Sequence, residues 1–355
     1  MTTTFRASAL VRKATQPVVP FGDIRGKTGP IFGSKLIEVV YQVGEGWRAP
    51  LLRDYGDLEV RPQIAGLHYG LQVFDHCVIS ADKATKKPRI FRQECFLSRL
   101  AESRDYLHFG KYEDAELTAL IKEYLAAEQF NIPTGPGQAL LVRTCIIGDN
   151  NSLSAGPADS FRLFIFSTPF DTFAETKPLN VKADPTVRRS WAGGTGGVSV
   201  GGNYANQIYH ETLARKEGFD RILWLVDNEN IATAGDANFF AVYKNASGAH
   251  ELVTPELGQT SMAGTVRTTI LERFGKQARV SDVTAKEFGA ALRSGAAVEA
   301  FATSSTCITR PIASMSYNGE AFAIPTPADG FAARIKKEVL GIWDGSIADP
   351  SSQLL

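Results

Sequence analysis

Chemically useful residues are densest at 193–205, GGTGGVSVGGNYA, where six glycines within ten positions expose bare backbone around the hydroxyls of Thr195 and Ser199. Three common readings of such a segment fail. A dinucleotide loop needs GxGxxG between a strand and a helix, with an acid about 20 residues on in the matching context, and neither the motif nor that context is present. A Walker loop needs Gly-Lys followed by Ser or Thr, which GGTGG lacks. No histidine and acid lie at hydrolase spacing from Ser199 to make it a nucleophile. The thiols Cys77, Cys95, Cys145 and Cys307 show no CxxC spacing, so they read as free thiols in a reducing compartment and predict neither disulfides nor a metal site.

The remaining composition narrows the class. With 38 basic and 38 acidic residues and no long run of either sign, nucleic acid and anionic membrane are not expected partners. Apolar runs such as 163–166 and 222–226 are strand length, far short of the roughly 20 residues that span a bilayer. The first 22 residues lack acid and include Arg6, Arg12 and Lys13, too little arginine for a transit segment, so a flexible N-terminus and a cytoplasmic rather than mitochondrial location are expected. A chain of 355 residues predicts two domains.

Positioning elements follow from periodicity. Strand-like runs occur at 35–42, 73–79, 89–91, 139–147 and 161–167, alternating with helical patterns at 96–107 and 114–130. The stretch 169–180, PFDTFAETKPLN, carries two prolines and a polar middle, and reads as an interdomain linker between a small domain over 1–168 and a larger β-rich domain over 181–355. Behind the glycine segment, Ala205, Ile208, Tyr209, Thr212 and Leu213 fall at helical spacing and predict a helix over 203–216, stopped at Gly218. A buried strand at 221–227 follows, then a turn at 228–231 and a second strand through 238–243. The fold class is mixed α and β.

Several ordered motifs add up to a resemblance. His68, Tyr69 and Gly70 precede Gln72, Val73, Phe74 and Asp75; Phe91 and Arg92 precede LSRL at 97–100; Leu141, Val142 and Arg143 follow. Later come GGNYA at 201–205, Gly235 and Asn238, Gly264 and Arg267, and 303–311. In this order they resemble the HYG…VFEG, FRP…RL, YIRP, GGNYA, EVGTMN, GITR and GTAAxxxP segments of fold-type IV pyridoxal-phosphate enzymes, specifically branched-chain amino acid aminotransferases, over nearly the whole chain. The resemblance implies that fold, a homodimer and a site at the domain interface. It also implies that Tyr69 and Phe74 meet the substrate and that Arg99, Thr265, Val266 and Ser305 form a phosphate cup; Arg143 and Thr233 are further candidate substrate-binding residues.

The departures bear on chemistry. The family block runs GGTGxxKxGGNYA, so the lysine that joins the cofactor's aldehyde as an imine and carries the proton belongs at 199, where this chain has Ser199. The glutamate that keeps the cofactor's ring nitrogen protonated belongs at 233, where this chain has Thr233. Asp236 and His76 replace a threonine of EVGTMN and the glycine of VFEG, and with Tyr204 and Ser199 they are the candidate acid–base groups. Three readings follow. The leading one is an enzyme of specialised metabolism that acts on a small organic substrate, has lost imine chemistry and works as a pyridoxal-phosphate-independent isomerase, cyclase or lyase, with a vestigial cup that holds pyridoxal phosphate or another phosphate noncovalently. The second is a branched-chain or related aminotransferase in the form of a catalytic-lysine variant. The third is a non-catalytic pseudoenzyme or regulatory partner.

Overall fold

The structure is a computed structural model and describes residues 3–27, 29, 31–245 and 247–355. By its contacts the chain divides into two compact units, one of Met1–Ala174, Ser199–Gly202 and Gly341–Leu355, the other of Glu175–Val198 and Asn203–Leu340. The short excursion Ser199–Gly202 and the C-terminal stretch therefore belong with the first unit, an assignment that a single cut in the sequence does not give.

The first unit is built on a nine-stranded sheet. Its strands are β1 (Val11–Arg12), β2 (Lys35–Gln42), β3 (Gly46–Trp47), β4 (Leu51–Asp54), β5 (Gln72–Ala81), β6 (Pro88–Phe91), β7 (Gln138–Gly148) and β8 (Ser160–Asp171), with a last strand at Ser352–Leu354. They lie in the order β1-β4-β2-β8-β7-β5-β6, the C-terminal strand beside β6 and β3 beside β2. Helices α1 (Ala65–His68), α2 (Gln93–Tyr106) and α3 (Asp114–Ala127) complete it. In α3, Leu117, Leu120, Ile121, Tyr124 and Leu125 are buried, the stripe that 3.6-residue periodicity demands.

Two expectations change here. β8 continues through Asp171, into the stretch that reads as a linker, because Pro169 pairs with Leu140 of β7 while β2 pairs with β8 only at 160–165. The missing N–H of Pro169 is therefore not needed on the β2 side. The N-terminal segment is not a loose arm: Phe5 is buried, its ring 5.2 Å from Trp47 and 5.1 Å from Tyr112, and β1 pairs with β4.

The second unit contains β9 (Leu179–Ala183), β10 (Arg221–Leu225), β11 (Ile231–Ala234), β12 (Ala237–Lys244), β13 (His250–Thr254), β14 (Ala278–Val280), β15 (Ala297–Ser304), β16 (Ile308–Tyr317) and β17 (Glu320–Ala323). Its helices are α4 (Asn203–Lys216), α5 (Thr265–Arg273), α6 (Ala285–Ser294) and α7 (Phe331–Trp343), of which the last residues, from Gly341, belong to the first unit. Because β11 pairs with both β10 and β12, the path β9-β10-β11-β12-β15-β16 returns to β9 and closes a ring of strands. A core of Val181, Leu223, Phe239, Ala300 and Met315 with Phe288 of α6 lies against it, while Ala214 of α4 packs on Ile222 and Trp224.

The helix after the glycine segment forms where expected, yet its apolar stripe faces outward. Ile208 is 61% and Tyr209 63% exposed, whereas Asn203, Gln207, Glu211 and Ala214 are buried. The strand pattern after it also resolves differently: β11 and β12 are a hairpin joined by Gly235 and Asp236, with Gly235 at φ 64°. A two-residue hairpin loop needs a positive φ, and glycine supplies it without strain.

Candidate functional site

Within the first unit, the central strand β5 sorts its residues by alternation. Phe74 and His76 share one face; Asp75 and Cys77 share the other. Across the β5–β7 ladder, His76 stands opposite Arg143 and Phe74 opposite Cys145. The Arg143 guanidinium lies 4.7 Å from the Phe74 ring centroid, a cation over an aromatic face. Both are only partly buried, as is His76. Tyr69 is 47% exposed, and its hydroxyl donates to the carbonyl of Leu153.

On the other face of β5, α2 packs with Arg99 directed at Asp75. Arg99 Nε and Nη2 donate to the two Asp75 carboxylate oxygens, each at 2.8 Å, with side chains 11% and 5% exposed. Arg99 of α2 is thus paired with Asp75 across the helix–sheet contact. Burial works against the charged guanidinium, but the Asp75 charge and hydrogen bonds outweigh it and hold Arg99 above its ordinary value. Asp75 also accepts the His76 backbone N–H at 2.6 Å.

Ser199 lies against β5 as a short strand-like bridge. Its N–H donates to Ser103 Oγ at 2.8 Å, its hydroxyl donates to the carbonyl of Phe74, and its own carbonyl accepts the Phe74 N–H at 3.1 Å. Val73 and Val200 form a bridge, and the Gly201 N–H donates to Gln72 O at 3.0 Å. A Cβ on Gly201 would sit 2.3 Å from Gln72 Nε2, so any larger residue there would displace the Gln72 side chain.

In the second unit, Tyr204 opens α4 and Arg189 stands 5.9 Å from its ring. Thr233 is buried, its hydroxyl donating to the Gly235 carbonyl at 3.0 Å, and Asp236 is exposed on the hairpin turn. Thr265 and Val266 are the first residues of α5, whose first-turn N–H groups have no intrahelical acceptor. Thr265 Oγ1 stands 3.4 Å from Ser305 Oγ. Gly264, the N-cap, donates to Asn238 Oδ1 at 3.0 Å, and a Cβ there would lie 2.4 Å from that oxygen. Thr265, Val266 and Ser305 thus come together, as do Phe74, His76 and Arg143; Arg99 belongs to the first unit, and Thr233, Asp236 and Tyr204 to the second.

Sequence reasoning missed Asp75, Ser103 and the inner face of α4. Alternation along β5 does signal Asp75, since a residue between Phe74 and His76 must face the opposite way. Nothing local signals Ser103, which lies 96 positions from Ser199.

Residues 79–315 match the amino-transferase class IV family, and the chain belongs to it. It is 32% identical over 341 residues to the branched-chain-amino-acid aminotransferase of Dictyostelium discoideum, covering 92% of this chain and 90% of that protein. Its fold is similar to that of the branched-chain aminotransferase of Thermoproteus uzoniensis solved with norvaline, with a TM-score of 0.71, 20% identity, and 89% and 98% of the two chains covered. It is also similar to the T.th. branched-chain amino acid aminotransferase solved with pyridoxamine 5'-phosphate, with a TM-score of 0.67, 19% identity, and 86% and 94% covered. The fold is thus the branched-chain aminotransferase type.

The residues present fit that family's cofactor in one respect only. The open N-terminal turn of α5 with the Thr265 and Ser305 hydroxyls suits a phosphate. Covalent attachment at position 199 does not fit, because a serine hydroxyl engaged with the Phe74 carbonyl offers no amine.

Proposed function

We propose that the protein is a branched-chain-aminotransferase-type protein for a small amino or keto acid, working as a homodimer, in which serine at position 199 withholds the lysine-dependent step. The observation that carries this reading is the Arg143–Phe74 pair. A half-buried guanidinium over an aromatic face receives a ligand carboxylate while the ring supports an aliphatic side chain. Membership of the family supports the substrate class. Pyridoxal phosphate, when bound, supplies the electron sink for chemistry at an amino acid's carbon. Thr265, Ser305 and the first N–H groups of α5 would hold its phosphate, with no covalent bond to the chain. Ser199 contributes a hydroxyl that is already donated to Phe74.

The test is to compare the protein with Ser199→Lys combined with Thr233→Glu, measuring transfer of the amino group from leucine, isoleucine or valine to 2-oxoglutarate. The reading expects no turnover from the unmodified chain and measurable turnover from the double variant. A folded double variant inactive on every amino acid tried, with no affinity for pyridoxal phosphate, would overturn it.

A second reading is favoured by the joint absence of lysine at 199 and glutamate at 233. It is an enzyme independent of pyridoxal phosphate, an isomerase, cyclase or lyase, with His76, Asp236, Tyr204 and Ser199 as its acid–base groups. Native mass spectrometry and the absorbance spectrum of untreated protein test it. A cofactor that borohydride fixes to a lysine would sink it.

A further inference from the structure

The inner face of α4 is a line of polar residues, Asn203, Gln207 and Glu211, spaced four apart and therefore stacked along one side of the helix. Each grips a different segment. Asn203 Nδ2 donates to the carbonyls of Thr195 at 2.9 Å and Val198 at 3.0 Å. Gln207 Oε1 accepts from Arg189 Nε at 2.7 Å, and Arg189 is the cation beside the Tyr204 ring. Glu211 Oε2 faces Arg221 Nη1 at 3.3 Å and Arg215 Nη2 at 3.2 Å.

Glu211 also touches the hairpin turn. A Cβ on Gly235 would lie 3.1 Å from Glu211 Oε1 and 2.9 Å from Arg221 Cδ, so the turn rests directly on this ion pair. Thr233 pairs with Trp224 across β10 and β11, which puts both side chains on the same face of the sheet. That is the face on which Trp224 packs against Ala214 of α4. We propose that Glu211, as an anion, is a positioning residue that fixes the turn carrying Thr233 and Asp236 and, through Gln207 and Arg189, the ring of Tyr204.

A scaffold function alone would not favour an acid here. The Glu211 side chain is 3% exposed, and its Oε1 accepts no hydrogen bond among the described residues, a costly arrangement that an apolar residue would avoid. The larger apolar residues of this helix, Ile208, Tyr209 and Leu213, face outward. The groups acting on the carboxyl are Arg215 on α4, Arg221 on β10 and Asp236 on the turn. Burial pushes the carboxyl up; Arg221, Arg215 and the neighbouring Gln207 amide oppose it, Asp236 adds to it, and the net direction is upward. Protonation on acidification removes the charge that holds Arg221.

The ligand consequence rests on the proposed function, so the decisive measurement is made without ligand. Amide hydrogen-exchange protection is compared between the full-length protein and Glu211→Gln over a pH series from acid to pH 8. At pH 8 the variant should lose about tenfold in protection over 231–238 and 193–198, with β13 to β16 unchanged. The unmodified protein should show the same local loss on acidification, whereas the variant should stay flat. Protection within about twofold of the unmodified protein at every pH, or a loss spread evenly over the chain, overturns the inference. Glu211→Gln keeps volume and hydrogen-bonding capacity, so it serves where Glu211→Ala fails to fold. A second arm measures pyridoxal 5'-phosphate binding by absorbance, expecting affinity about fivefold weaker in the variant at pH 8 and equal at acid pH. Equal affinity at pH 8 overturns the coupling to ligand. Failure of the unmodified protein to bind at any pH counts against the proposed function, while the exchange result still decides the role of Glu211.

Discussion

Asp75→Asn isolates the charge that the structure places against Arg99. The substitution keeps the volume of the side chain and removes the carboxylate that receives two 2.8 Å bonds from a guanidinium only 11% exposed. One amide oxygen must then serve both Arg99 and the His76 N–H, and the amide NH2 faces other donors. Breaking a buried pair by removing one partner costs about 3–5 kcal/mol, because the remaining charge is uncompensated. The slight exposure of Arg99 puts the expected cost near the lower end, about 3 kcal/mol. With a urea dependence of about 1–3 kcal/mol per molar, the unfolding midpoint of the first unit should fall by about 1–3 M. The assay is urea unfolding followed by the fluorescence of Trp47 and Trp343, both buried in that unit, in variants whose other tryptophans are replaced. A double variant, Asp75→Leu with Arg99→Met, should be closer to the original than Asp75→Asn is, because no charge is left stranded. A loss below about 1 kcal/mol for Asp75→Asn would refute the reasoning.

Two other predictions concern stability. Gly235→Ala places an alanine at φ 64° with its Cβ 2.9 Å from Arg221 Cδ, and should cost the second unit about 2–3 kcal/mol by calorimetry; an unchanged transition would show that the turn relaxes freely. Glu128 is buried, and burial pushes its carboxyl up against the opposing hydrogen bonds from the Lys35 N–H and the Tyr124 hydroxyl. With the folded value above the unfolded one, its contribution to stability is present below the unfolded value and is lost as pH rises through the folded value. Glu128→Gln should therefore match the unmodified protein at acid pH and exceed it in urea resistance toward neutral pH. A variant that is less stable at neutral pH would contradict this.

Much of the local architecture is legible in the residues. The strand at 35–42, the strand expected at 221–227 that ends at Leu225, the stripe of α3 and the extent of α4 all follow from short-range periodicity, which operates over one or two turns of chain. The family resemblance comes from ordered motifs, and family membership agrees with it. The fate of each face is less legible. In α4 the spacing of Ile208, Tyr209 and Leu213 marks a helix correctly, but periodicity cannot say which side meets the protein. There the inner side is the polar one, because Asn203, Gln207 and Glu211 satisfy backbone and arginine groups of neighbouring segments.

By itself the sequence determined that position 199 holds a hydroxyl and position 233 carries no carboxylate, and these facts of covalent chemistry need no fold. Only tertiary structure decided what those residues do with their atoms. The Ser199 hydroxyl is engaged with a carbonyl 125 positions away, and Arg99 is matched to Asp75 across a helix–sheet contact. Glu211 is brought beneath a turn that lies 24 residues further along the chain. Hydrogen bonds and ion pairs act over about 3–4 Å in space without regard to separation along the chain. Composition and spacing therefore supply the list of partners, and packing chooses among them.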